Sequence, residues 1–184
     1  MREKPEILKI ETIAETRIFR IEQVGLRFSN GNQVEYERVR GSAHGSVLIV
    51  PMLDDDTVLL IREYAVGVDR YELTLPKGLI EKAESPLDAA NREIMEEVGY
   101  ASRSLEQLTT FTLAPGYLGS TTHIVLAQDL YPQRCEGDEP EEIEVVPWSL
   151  RRLDALLEDN ACSEARTIAA LYMVRDRLSA KERI

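Results

Sequence analysis

The chain has little of what marks secreted, membrane-spanning or nucleic-acid-coating proteins. Only two cysteines occur in 184 residues, Cys135 and Cys162. They stand 27 positions apart with no CxxC or Cys/His cluster around them, so both read as ordinary thiols rather than disulfide partners or zinc ligands. No apolar run approaches the roughly 18 residues of a membrane span. The opening MREKPEILKIE carries no hydrophobic segment, so a soluble cytoplasmic protein with no membrane partner is expected. Basic residues are outnumbered, 22 against 33 acidic, and the net charge of −11 has the wrong sign for coating a phosphate backbone. No nucleic-acid partner is expected. Divalent metals can still bridge an acidic site and an anionic substrate, so metal-assisted phosphate chemistry stays open. His44 and His123 have no metal-ligand spacing and read as structural. There is also no internal repeat, low-complexity tract or linker.

At this length, 43% apolar residues suffice for one buried core. Residues 7–40 alternate in the β manner, with Val24, Leu26 and Phe28 on one side. Asn30-Gly31 suggests a two-residue hairpin turn in which both residues tolerate positive φ. The denser apolar runs 47–52 and 58–61, separated by Asp54-Asp55-Asp56, read as central strands of the core sheet. Further strands are expected at 71–75, 107–113, 123–127 and 143–147, with a polar acidic loop over 131–142. A helix is expected over about 163–180, where Ile168, Leu171, Tyr172 and Leu178 form a core-packing stripe. Trp148 reads as packing between the last strand and the helix that follows. The class is α/β with mixed strands. Residues 1–43 form an N-terminal antiparallel β element and residues 44–184 the main domain.

The chemistry concentrates in residues 78–100. Ser85 is placed as N-cap, Pro86 at the first helical position, Asp88 three residues after the cap, and Gly99 at the end. At about 100° per residue, Leu87, Ala90, Ile94 and Val98 form a buried stripe. Glu93, Glu96 and Glu97 fill the neighbouring arc, with Arg92 just beyond Glu96. Three carboxylates on one flank need a cation, and an all-oxygen set suits Mg²⁺ or Mn²⁺. Arg92 can brace Glu96 at the i,i+4 spacing, Glu84 can reach the same flank from the loop, and backbone oxygens of the Lys77-Gly78 turn are further candidates. An E-x-x-E-E run taken alone reads more often as a solvated acidic face.

The full spacing G-x5-E-x7-R-E-U-x-E-E-x-G-U runs from Gly78 to Tyr100 and resembles the Nudix box. Tyr100 stands where the family usually carries an aliphatic residue. The resemblance implies a Nudix fold, a mixed sheet sandwiched between helices. It also implies Mg²⁺-dependent hydrolysis, with Mn²⁺ as a substitute, of a nucleoside diphosphate linked to another group. By the family's pattern Glu93 and Glu97 are the principal metal ligands, Glu96 a third ligand or a water-positioning group, and the Lys77 carbonyl a backbone ligand. Arg92 supports catalysis beside them.

Outside the box the chain resembles the ADP-sugar pyrophosphatase branch, through IREYAVGVDRYELTLPKGLIEKAES and GDEPEEIEVVPW. Pro115, 16 residues past Gly99, stands near a proline of ADP-ribose hydrolases, while Tyr117 is placed like a tyrosine of dinucleoside polyphosphate hydrolases. The longer Pro- and Trp-containing motif of the NADH-selective branch is absent. The resemblance implies an ADP-containing small-molecule substrate, ADP-ribose first, with diadenosine di- or triphosphate and NADH as alternatives. It makes Glu139 the expected base and Glu141 the second choice, and it assigns Arg62 and Glu72 to substrate binding; for Arg62 a structural salt bridge is the competing reading. It also implies a homodimer built through residues 7–40. A non-catalytic ADP-ribose sensor is the remote alternative.

Overall fold

The computed structural model describes residues 2–137, 140–158 and 161–181. The chain divides into two units. One runs to Ala43 and takes in Thr112–Thr121; the other takes His44–Phe111 and the chain from Thr122 onward.

In the first unit β1 (Glu6–Glu15), β2 (Arg20–Arg27) and β3 (Gln33–Val39) form an antiparallel sheet with β2 in the middle. The β2–β3 connection is longer than the two residues expected. Phe28 N–H bonds to Asn32 O at 2.9 Å, Gly31 N–H bonds to Phe28 O at 2.9 Å, and of the Asn30-Gly31 pair only Gly31 takes a positive φ. Asn30 instead accepts the Asn32 N–H on its side chain at 3.0 Å, which closes the loop locally. The 112–121 segment belongs here because Val39 exchanges backbone bonds with Tyr117 O and Gly119 N at 2.8 and 2.9 Å.

The second unit is built from two sheets. The four-stranded one has the order β7-β4-β9-β8, from β4 (Ser46–Pro51), β7 (Lys77–Leu79), β8 (Tyr100–Phe111) and β9 (Thr122–Pro132); β4 and β9 are parallel and the other pairs antiparallel. The three-stranded one has the order β10-β5-β6, from β5 (Thr57–Ala65), β6 (Arg70–Thr74) and β10 (Glu144–Ser149), and is antiparallel. The helices are α1 (Pro86–Glu93), the short α2 (Leu153–Glu158) and α3 (Ala165–Lys181). None of the described helices is long and apolar enough to cross a membrane.

Neighbouring side chains on a strand point to opposite faces, so an unbroken apolar strand must be covered twice. Leu48, Val50, Leu60, Ile124 and Leu126 share one cluster with Leu153, Leu156, Leu171 and Val174 of α2 and α3. Their neighbours Val47, Ile49, Leu59, Ile61 and Val125 share the other with Ala89, Ala90 and Ile94. Each fully buried aliphatic side chain contributes about 1.5–3 kcal/mol, so helices are held on both faces of the strands. The runs 47–52 and 58–61 are the most buried strands, as their composition implies, but they lie in different sheets. The turn between them is closed by Asp54, whose Oδ1 accepts from Asp56 N and Thr57 N at 2.9 and 2.7 Å.

Two strands outrun their sequence signal. β8 begins at Tyr100 rather than 107, because Arg103, Ser104 and Glu106 give a polar, partly exposed stretch that hides the pairing. β9 continues past 127 to Pro132 for the same reason. Trp148 packs against the core and donates Nε1–H to Arg152 O at 3.0 Å.

Candidate active site

α1 starts where its punctuation places it. Ser85 Oγ accepts the Asp88 N–H at 3.2 Å and Pro86 occupies the first turn. Its far end departs from the regular wheel. After Glu93 the chain widens into a π-type turn over Ile94–Val98, closed by Gly99 N–H to Ile94 O with Gly99 at φ 78°. A wider turn advances fewer degrees per residue, so Glu97 returns closer to the line of Glu93 than 100° per residue allows.

Glu93 and Glu97 are thereby buried, at 9% and 3% exposure, on the core side of the helix. Their carboxylates meet the three-residue strand β7, which pairs with β4 through Leu48↔Lys77 and Val47↔Gly78. Lys77 N–H donates to Glu97 Oε2 at 3.0 Å. Gly78 leaves the space the Glu93 carboxylate fills, since a Cβ there would overlap it.

Arg92 organises the outer rim. It donates to Glu84 Oε1 and Oε2 at 3.0 and 3.2 Å, to Glu93 at 2.7 Å, to Glu96 at 3.0 Å and to Leu79 O at 3.0 Å. Glu84, a candidate to reach the carboxylate flank from the loop, is spent on this bracing and accepts the Glu81 N–H at 3.0 Å. Glu84 is held below the ordinary carboxylate value, first by its Arg92 hydrogen bond.

Burial pushes the Glu93 carboxyl up to about 7, with Glu96 and Glu84 adding repulsion and Arg92 opposing it. Burial pushes Glu97 up to about 8 against the Lys77 charge and N–H, with Glu93 and Glu63 adding to the rise. The pair is short of positive charge, a state in which a divalent cation favours ionisation. Among the described residues no three acidic, histidine or cysteine side chains converge into a ready-made cage. The carboxylates of Glu93 and Glu97 are oxygen donors of the kind a hard divalent cation takes.

Two clefts flank this pair. One, of about 340 Å³, is lined by Arg62, Glu63, Tyr64, Lys77, Glu97 and residues 140–143. The other, of about 420 Å³, is lined by Glu96, residues 134–137 and residues 141–143. Glu141 lines both. Arg62 reaches the first cleft while its Nε bonds Glu144 Oε2 at 2.8 Å, so the substrate and salt-bridge readings meet in one half-buried side chain. Glu139, first choice for the base, lies outside the described residues.

Glu72 is placed elsewhere. It is 3% exposed, and its oxygens accept from Arg70 and from the Ser163 N–H and hydroxyl. That arrangement ties β6 to the segment leading into α3. Pro115 and Tyr117 lie in the first unit, on the segment paired with Val39, and Tyr117 is exposed there.

Sequence reasoning passed over Glu63, whose Oε1 accepts from Lys77 Nζ at 2.6 Å. Strand parity carries the signal: 63 continues the set 59 and 61 that faces α1, at the point where the core gives way to the cleft. Tyr71 was also passed over, because its partner is 70 residues away.

Residues 43–172 match the family model described as NUDIX domain. The chain belongs to the Nudix family. Residues 5–38 of this Nudix protein match a second model, the NudE-type Nudix hydrolase N-terminal domain. The Nudix chain is 48% identical over 182 residues to the ADP compounds hydrolase NudE of Escherichia coli, covering 99% of this chain and 97% of that one. It is 29% identical to an ADP-ribose pyrophosphatase of Bacillus subtilis, over 91% and 94% of the two chains. A solved structure described as an ADP compounds hydrolase superposes with a TM-score of 0.92 at 48% identity, over 100% of this chain and 99% of that one. The mixed α/β architecture is thus the Nudix fold, and the enzyme is a Nudix pyrophosphohydrolase.

The raised carboxyls set a stability signature. With folded values of about 7 and about 8 against an ordinary value near 4.3, the metal-free folded state binds more protons than the unfolded chain. Stability from this pair is complete below that ordinary value and is lost as pH rises through the folded values. In chelator the melting temperature is expected to fall progressively between about pH 4.5 and about pH 8. Glu97→Gln should flatten that fall, each kcal/mol recovered appearing as about 2–4 °C. A variant whose thermal pH profile matches the parent contradicts the account of Glu97.

Proposed function

We propose that this enzyme hydrolyses the pyrophosphate bond of ADP-linked compounds, with ADP-ribose, cleaved to AMP and ribose 5-phosphate, as first substrate. The observation that carries the reading is one cleft that gathers Glu97, Lys77, Arg62 and Glu141 beside the buried Glu93. Glu93 and Glu97, with Glu96 and the Lys77 carbonyl, would hold Mg²⁺, and Mn²⁺ as its substitute. When bound, such a cation would offset charge developing at phosphorus and acidify a water.

The chain's own residues do the rest. Arg92 keeps Glu93 and Glu96 in fixed rotamers, so little reorganisation remains once substrate arrives. Arg62 offers a forked donor to phosphate at the cleft wall, where its present partner Glu144 is itself exposed and exchangeable. The loop carboxylates accept the proton of the attacking water, Glu139 first and Glu141 second. The E. coli relative is named for ADP compounds in general, so diadenosine di- or triphosphate and NADH form the second reading. The free thiols Cys135 and Cys162 fit a cytoplasmic setting.

The experiment offers ADP-ribose, diadenosine triphosphate and NADH to the enzyme with Mg²⁺ and with chelator. Metal-dependent AMP release is expected, at the highest kcat/KM for ADP-ribose, with Glu97→Gln lowering kcat at least about a hundredfold, as loss of a principal electrostatic group does. A better kcat/KM for another compound transfers the activity to it; binding of ADP-ribose without turnover would make the chain a sensor.

We also infer a homodimer formed through the first unit. Its strands and the β1–β2 turn leave Ile7, Ile10, Ile13, Phe19 and Tyr36 between 46% and 56% exposed, apolar surface of the kind a second copy would cover. Light scattering should give twice the chain mass, and Ile10→Asp with Ile13→Asp should give the monomer. A monomeric parent protein at micromolar concentration removes the inference.

A further inference from the structure

The described parts of the β9–β10 connection, residues 133–137 and 140–143, carry the exposed Glu136, Glu141 and Glu142, with Ile143 packed against the core at the far end. Its ends are tied by backbone bonds from Gln133 N to Gly99 O and from Cys135 N to Met95 O, both 3.1 Å, and by Arg62 on Glu144 just beyond. Between those ties, among the described residues, one side chain hydrogen-bonds Glu141. The Tyr71 hydroxyl donates to Glu141 Oε1 at 2.8 Å.

Tyr71 is itself well fixed. It stands on β6 directly opposite Tyr64 of β5, and the two rings meet edge to face with centroids 5.6 Å apart. The next residue, Glu72, is locked to Arg70 and Ser163. The half-exposed tyrosine thus presents its O–H from the edge strand β6 to a carboxylate that lines both clefts beside the Glu93–Glu97 pair. A donor aimed at a carboxylate narrows its rotamers.

We propose that Tyr71 is a positioning residue for hydrolysis, its phenol O–H holding the Glu141 carboxylate at the wall shared by the two clefts. The role rests on the reading of those clefts as the Nudix reaction site. It acts through Glu141 and needs no contact between Tyr71 and the substrate.

Tyr71→Phe keeps the ring and its edge-to-face contact and removes only the donor. The test measures ADP-ribose hydrolysis with Mg²⁺ for the parent enzyme, Tyr71→Phe, Glu141→Gln and the double variant, with melting temperatures for each. The expected result is a kcat about tenfold lower in Tyr71→Phe with KM within about twofold and an unchanged melting temperature, the scale of a lost hydrogen bond to a charged group. In the Glu141→Gln background the same change should cost nothing further, because the group it positions is gone. Parental kcat in Tyr71→Phe, or falls that multiply in the double variant, overturns the proposal. The site reading is judged separately: if the parent turns over and Glu97→Gln does not, a silent Tyr71→Phe sinks the tyrosine's role alone, whereas an inactive parent removes both.

Discussion

Glu93 and Glu97 place two like charges below the surface of one helix flank, where burial works against ionisation and each works against the other. Much of the surrounding structure can be understood as what keeps that pair in place. The pair sits there because α1 packs Ala89, Ala90 and Ile94 against the strands, and because the wider turn after Glu93 brings Glu97 back into line. A short strand supplies the seat. Its Gly78 yields room to one carboxylate and its Lys77 N–H caps the other, so a substitution at Gly78 would displace Glu93 before it altered anything else.

Around this centre, charge is arranged in graded depth. Arg92 ties together the outer acids Glu84 and Glu96 and touches Glu93, while Lys77 answers Glu97 through its backbone and Glu63 through its ammonium. Neither arginine nor lysine cancels the buried pair, and the residual imbalance is what a hard divalent ion matches. An acidic chain can in this way work on an anionic substrate, since attraction comes from a local site and not from net charge.

Most of the candidate site was legible because a helix and its caps are local. Ser85, Pro86 and Gly99 stand where their chemistry places them, and the spacing of Glu93, Glu96, Glu97 and Arg92 follows from one helix. The turn at Ile94–Val98 was not legible, since a π-type widening leaves no mark in periodicity. Non-local facts were the harder ones. Nothing near Glu72 in sequence announces Ser163, which consumes its carboxylate, and nothing near Tyr71 announces Glu141. The strands were found where both faces are apolar, as at 47–52, and cut short where polar residues such as Arg103 and Glu106 sit on a strand that is still paired. The assignment of 47–52 and 58–61 to one sheet failed because composition records burial and not which neighbour provides it.

The central claim is that the two buried carboxylates form a cation seat with the backbone beside Gly78. Anomalous diffraction from crystals grown with Mn²⁺ tests it most directly. The account predicts a peak in contact with the carboxylates of both Glu93 and Glu97, absent in Glu97→Gln. A peak confined to the exposed Glu136, Glu141 and Glu142, with none at Glu93 and Glu97, would contradict it.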